Sequence, residues 1–133
     1  GTPINLPTDK AAAATWRRDL ERLAALPQLR VKLSGMTMPI VGWNLHETPV
    51  DATALHERLA PHYRFTLDTF GPDRCLFGSN FPMDKVSASY RDLLQVADQV
   101  VSEYGRDARN AVFHDNAAAF YAPKASTKPE DHG

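Results

Sequence analysis

Only two stretches of this chain read as β-strands, and that scarcity constrains the fold more than any other feature. Residues 29–34 alternate with period two, Leu29, Val31 and Leu33 on one side and Arg30, Lys32 and Ser34 on the other. Residues 74–79 form an apolar run, Arg74-Cys75-Leu76-Phe77, that exits through Gly78-Ser79. The stretch between them keeps helical spacing, so the connection is long enough to lay the two strands side by side in parallel. Two such strands make a poor domain: a parallel sheet is normally covered on both faces, and each outer edge here leaves a row of unpaired backbone groups. The expectation is an α/β chain that belongs to something larger or associates with itself.

The helices follow from punctuation and stripes. After a proline-bearing loop over residues 1–7, Thr8 or Asp9 can cap a helix whose Trp16, Leu20 and Leu23 share a face, and Pro27 ends it. No period holds over residues 35–49. Met36, Met38, Pro39, Gly42 and Trp43 there predict a long loop that packs, of the kind that forms lids. Asp51 caps a second helix carrying Leu55, Leu59, Tyr63, Leu67 and Phe70, stopped by Gly71-Pro72. Pro61 lies inside that pattern and predicts a kink, or a restart with Pro61 at the first position of the second piece. His56 and His62 do not share a helical face and read as solvated. Ser87 or Ser89 opens a third helix with Tyr90, Leu93, Leu94, Ala97, Val101 and Tyr104 as its stripe, and Gly105 ends it. Short helices from Asp107 and Asp115 complete a folded region over residues 1–122, and residues 123–133 read as a disordered polar tail.

With 133 residues, 43% of them hydrophobic, one domain is the default. Fifteen basic residues against sixteen acidic ones, with no long run of either sign, give no electrostatic footprint for nucleic acid. No apolar run reaches membrane length, and the single cysteine excludes an internal disulfide, so the expected location is cytoplasmic. Glycine-rich phosphate loops, CxxC and GxSxG are all absent.

Chemistry is expected where the second strand ends, in Phe77-Gly78-Ser79-Asn80-Phe81-Pro82-Met83-Asp84-Lys85, because a rigid strand aims side chains into a loop with room for a ligand. The catalytic candidates are Asn80 and Asp84. Substrate-binding candidates are Lys32, on the polar face of the first strand, with His46 and Trp43 in the long loop. Cys75 reads as a buried thiol, Arg74 as an ion-pair partner at the strand start, and His114 as structural.

Four blocks carry a resemblance: Val31-Lys32-Leu33-Ser34-Gly35; Phe70-Gly71-Pro72-Asp73-Arg74-Cys75-Leu76-Phe77; Gly78-Ser79-Asn80-Phe81-Pro82-Met83-Asp84-Lys85; and Phe113-His114-Asp115-Asn116-Ala117 with Phe120-Tyr121. In this order they resemble the C-terminal portion of the amidohydrolase-related TIM-barrel hydrolases. The resemblance implies the last two strands of a (β/α)8 barrel with their helices. It also implies an active site at the C-terminal strand ends, built in the family from a His-x-His pair on the first strand, a histidine on a middle strand and an aspartate on the last. Gly1-Thr2-Pro3 resembles the Gly-x-Pro segment that closely follows the middle histidine. The His-x-His pair is not in this chain, and the last-strand aspartate falls at Asn80.

That departure changes the chemistry. A carboxylate can take a proton from water or hold a divalent ion, whereas an amide can orient water, steady an oxyanion or ligate a metal weakly. Asp84, the nearest carboxylate, or a carboxylate outside this chain, is expected to replace the missing base. The activity implied is hydrolysis of a lactone or ester-like bond of a small carboxylic acid, with a divalent metal such as zinc in some members. The alternatives are decarboxylation on the same scaffold, or a fragment inactive without the N-terminal part of the barrel or a second copy.

Overall fold

A computed structural model describes residues 5–122, so the expected tail over residues 123–133 and the Gly1-Thr2-Pro3 segment lie outside the described residues. Helix α1 (Lys10–Ala24) begins where the Asp9 carboxylate accepts the Ala12 backbone N–H, and it leads to β1 (Val31–Leu33). After the long loop, α2 (Ala52–Phe70) starts at the Asp51 cap and is followed by β2 (Cys75–Phe77). Helix α3 (Tyr90–Ser102) is capped by Ser89, whose hydroxyl accepts the Asp92 N–H; α4 (Arg106–Asn110) and α5 (Asn116–Tyr121) then run on through a widened turn at Ala111–Asp115.

The strands pair in parallel, with Val31 opposite Cys75, Lys32 opposite Leu76 and Leu33 opposite Phe77. Among the described residues they form a two-stranded sheet, shorter at both ends than the alternation suggests. Alternation still sorts the faces as expected. Leu33 and Cys75 point into the core beneath α2 and α3, while Lys32 on the opposite face is exposed. The core is built from Leu55, Leu59, Tyr63 and Leu67 of α2 against Leu93, Val96, Val100 and Val101 of α3. The loop after β1 does pack, since Met36, Val41 and Leu45 are buried.

Four expectations are corrected. Helix α2 runs through Pro61 as one helix, without the restart: proline removes one hydrogen bond, but the flanking Leu59, Ala60 and Tyr63 are all buried and hold the helix together across it. The buried face of α3 is Leu93, Val96, Ala97, Val100 and Val101, and Tyr90 stays out in solvent. Arg74 makes no ion pair among the described residues. Its guanidinium instead donates to the carbonyls of Phe70, Ala24 and Leu26, tying together the ends of α2 and α1, whose last-turn carbonyls lack helical partners. His62 is half-buried between Trp16 and Trp43, with ring centroids 5.7 and 6.0 Å away. A single-helix spacing argument could not see either tryptophan, because both come from other elements.

Candidate active site

The end of β2 builds the site from its backbone outward. Gly78 carries the last strand-to-strand hydrogen bond, from its N–H to the Leu33 carbonyl at 3.2 Å. A side chain there would meet the Ser34 hydroxyl at 3.1 Å, so a glycine keeps the polar face of the sheet open beside Ser34 and Lys32. Asn80 then turns the chain with φ of 56°, a left-handed conformation that asparagine tolerates better than most residues and that recurs at functional sites. The turn closes as the Asp84 N–H donates to the Asn80 carbonyl at 3.1 Å, which brings the two side chains together.

The Asn80 amide donates through Nδ2 to Asp84 Oδ1 at 3.2 Å. A carboxylate accepts only, so the nitrogen end of the amide is held on Asp84 and the carbonyl end is left for the cleft. Asp84 is 2% exposed and lies at the base of this loop. Burial raises its pKa above the ordinary carboxylate range, while the Asn80 amide and the Thr37 hydroxyl oppose the rise by favouring the charged form. Thr37, equally buried, sits near enough to exert that pull without making a full hydrogen bond, and the Ser87 hydroxyl is likewise enclosed and unpartnered. Tyr63 belongs to the same neighbourhood: burial first, and then the charge of Asp84, push its phenol well above its usual pKa.

Asn80 opens onto a cleft of about 400 Å³ whose walls include Lys32, Ser34, Met36, Tyr63 and His62. The structure therefore brings Asn80, Asp84 and Lys32 to one end of the sheet, with Asp84 behind Asn80 and outside the cleft lining. Lys32 Nζ stands 5.5 Å from the ring centroid of Tyr121 on α5. His46 is not brought there. It is exposed, with Nε2 3.8 Å from a Glu47 carboxylate oxygen. Trp43 also lies away from Asn80, against His62 and Arg58.

Sequence reasoning missed Tyr63, Thr37 and Asn116. Tyr63 was visible only as one member of an apolar stripe. Asn116 reaches back to donate to the carbonyls of Pro72 and Cys75 at 2.7 and 2.8 Å, fixing the start of β2. Its place in the fourth block was the one available signal. Cys75 is fully buried, and burial raises its thiol to about 12, which removes it as a nucleophile.

No group of three or more His, Cys, Asp or Glu side chains converges among the described residues. Asn80 offers one neutral oxygen, so the donors described here do not by themselves fit a zinc centre.

A short parallel sheet ending in a polar turn beside a cleft is the arrangement of an α/β enzyme, and comparison with known proteins gives the family. The amidohydrolase family model matches residues 1–122, and the chain belongs to that family. It is 33% identical over 106 residues to the uncharacterized protein y4mH of Sinorhizobium fredii (strain NBRC 101917 / NGR234), covering 80% of this chain and 32% of that protein. It is also 33% identical over 115 residues to an L-fucono-1,5-lactonase of Burkholderia multivorans (strain ATCC 17616 / 249), covering 86% of this chain and 37% of the lactonase. An amidohydrolase from Burkholderia multivorans, crystallised with bound HEPES, superposes with a TM-score of 0.75 at 30% identity, covering 91% of this chain and 41% of that one. A second crystal form, with bound zinc, gives a TM-score of 0.71 at 31% identity over 85% of this chain and 38% of that one. The chain thus spans 32% to 41% of the length of these relatives. No described helix is long and apolar enough to cross a membrane.

Proposed function

We propose that a protein carrying this chain hydrolyses a lactone or related ester-like bond of a small carboxylic acid. In this reading the chain forms the last two strands of a (β/α)8 barrel and one wall of its active site. The observation that carries it is the Asn80–Asp84 pair at the end of β2, where a buried carboxylate sets which end of an amide faces the cleft. The lactonase relative and the family membership support the reaction class.

The Asn80 carbonyl accepts a hydrogen bond from the attacking water and aims it at the substrate carbonyl carbon. Addition gives a tetrahedral oxyanion, which collapses with departure of the ring oxygen to yield the hydroxy acid. Asp84, placed behind the amide, keeps Asn80 in that orientation. Asp84 is enclosed and outside the cleft lining, so it takes the proton of the attacking water through one bridging water and returns it to the departing ring oxygen, and its raised pKa brings it closer to the working range of a general base. Lys32, on the same face of the sheet, is placed to pair with the substrate carboxylate. Any zinc in the whole protein would draw its histidines from outside the described residues, and no step above is routed through it.

The remaining barrel strands, supplied by the rest of the protein or by a second copy, would pair with the free edges of both β1 and β2. We expect the 133-residue chain alone to be inactive. Expressing the longest reading frame that encodes this chain and following acid release from a panel of sugar-acid lactones tests the reading. Acid released with uptake of oxygen from labelled water supports it. Release of carbon dioxide without water addition replaces it with decarboxylation.

A further inference from the structure

We infer that the junction of α1, α2 and the long loop is a binding site for a small oxyanion, a carboxylate or phosphate, adjoining the cleft at Asn80 across the wall formed by Trp16 and His62. Three side-chain nitrogens there, Trp43 Nε1, Arg58 Nη1 and His62 Nδ1, are enclosed and have no hydrogen-bond partner. Such orphans are rare in folded proteins, and each implies a missing partner. The indole and guanidinium nitrogens are donors only, so they cannot satisfy each other.

The three side chains are neighbours. Arg58 and His62 are one turn apart on the same side of α2. Trp43 lies against both, its ring centroid 6.0 Å from the His62 ring and 6.0 Å from the Arg58 guanidinium carbon. From α1, Trp16 packs edge-on to His62 at 5.7 Å, and the Arg17 guanidinium carbon stands 4.7 Å from the Phe65 ring centroid. Arg17 is near enough for its charge to be felt at His62, where it adds to burial in lowering the imidazole pKa.

Neither Arg17 nor Arg58 is ion-paired among the described residues. The junction therefore gathers two guanidinium groups, an indole N–H and an imidazole with no compensating carboxylate. A trapped water would satisfy the hydrogen bonds but leave the charge unbalanced. An oxyanion meets both needs, since it offers several acceptor lone pairs and a negative charge to the guanidinium groups. Trp16 and His62 also line the cleft that Asn80 opens onto, whereas Arg58 and Trp43 do not, so the site lies beside that cleft and shares a wall with it.

The chain has two tryptophans, so two indole N–H resonances report on it, and Trp16→Phe assigns them. The experiment titrates the full 133-residue chain with acetate, phosphate or chloride at constant ionic strength and follows both indole signals. The Trp43 signal is expected to move saturably with acetate or phosphate, and Arg58→Gln to weaken that binding by about tenfold, as removal of a charge-assisted donor should. Arg17→Gln, at an exposed position that leaves the fold intact, is expected to weaken it by roughly threefold through charge alone. Acetate and phosphate arms that differ in affinity identify the preferred oxyanion. A Trp43 signal indifferent to all three salts marks a trapped water and overturns the inference. An equal drift of both indoles with every salt, or binding unchanged in both arginine variants, overturns it too.

Discussion

Asp84→Asn is the substitution for which structure and proposed function predict opposite signs. Burial raises the folded-state pKa of Asp84, so the stabilising contribution of this group is full below the unfolded pKa of about 4 and is lost as pH rises through the folded value. Near neutrality the ionised carboxylate is thus a net cost to folding. The asparagine amide has nearly the same shape, and its oxygen can still accept the Asn80 Nδ2 hydrogen that Asp84 Oδ1 accepts at 3.2 Å. Removing the buried charge while keeping the hydrogen bond should stabilise the chain at pH 7 by on the order of 1 kcal/mol, which for a chain of this size is a rise in Tm of about 4 °C. The gain should shrink as the pH is lowered toward 4. Asp84→Ala is the contrasting control: it strands the Asn80 amide and should cost about 1–3 kcal/mol. Urea melts of the three proteins between pH 4 and pH 8, followed by tryptophan fluorescence, measure all of this. An Asp84→Asn chain less stable than the parent at pH 7, or a gain that does not change with pH, would refute the reasoning and make Asp84 a structural anchor.

Other substitutions read the scaffold. Asn116→Ala removes two donors to the carbonyls of Pro72 and Cys75 and should destabilise by about 2 kcal/mol in thermal melts. Arg74→Lys, which cannot span the carbonyls of Phe70, Ala24 and Leu26, should recover only part of the roughly 2 kcal/mol lost in Arg74→Ala. Cys75, with its thiol raised to about 12 and its side chain enclosed, should resist a disulfide reagent at pH 8 until urea unfolds the chain. Labelling at the rate of a free thiol in native buffer would show that the strand is open. Gly42→Ala should cost more than about 1 kcal/mol, since φ is 98° there and a side-chain carbon would stand 3.0 Å from the Asn5 backbone.

The order of elements, the parallel pairing and part of the buried faces were legible because each rests on a local period or a local cap, whereas Tyr90 and Leu23, placed inside by period alone, are exposed. Asp9, Asp51 and Ser89 cap the helices that they precede, and the alternation over residues 29–34 put Leu33 inside and Lys32 outside. The candidate site was legible in part. The exit from β2 marked Asn80, and proximity in sequence marked Asp84, but nothing local told which way the amide points; that depends on a hydrogen bond and on burial by other elements. Tyr63 and Thr37 enter through tertiary packing, as do the tryptophans that enclose His62. Helix α2 passed through Pro61 because one lost hydrogen bond is small beside the apolar surface that its two halves bury together. His46 and Trp43 became candidates by lying in the long loop, and that loop folds so that one faces solvent and the other α2.

The central claim is that Asn80, held by Asp84, is the group that meets the reacting bond. Steady-state kinetics on a lactone substrate, with the protein expressed from the longest frame encoding this chain, tests it most directly. Asn80→Ala and Asp84→Asn should each lower kcat by roughly a hundredfold or more with KM little changed, the second despite a more stable fold. Wild-type kcat in both variants would contradict the account.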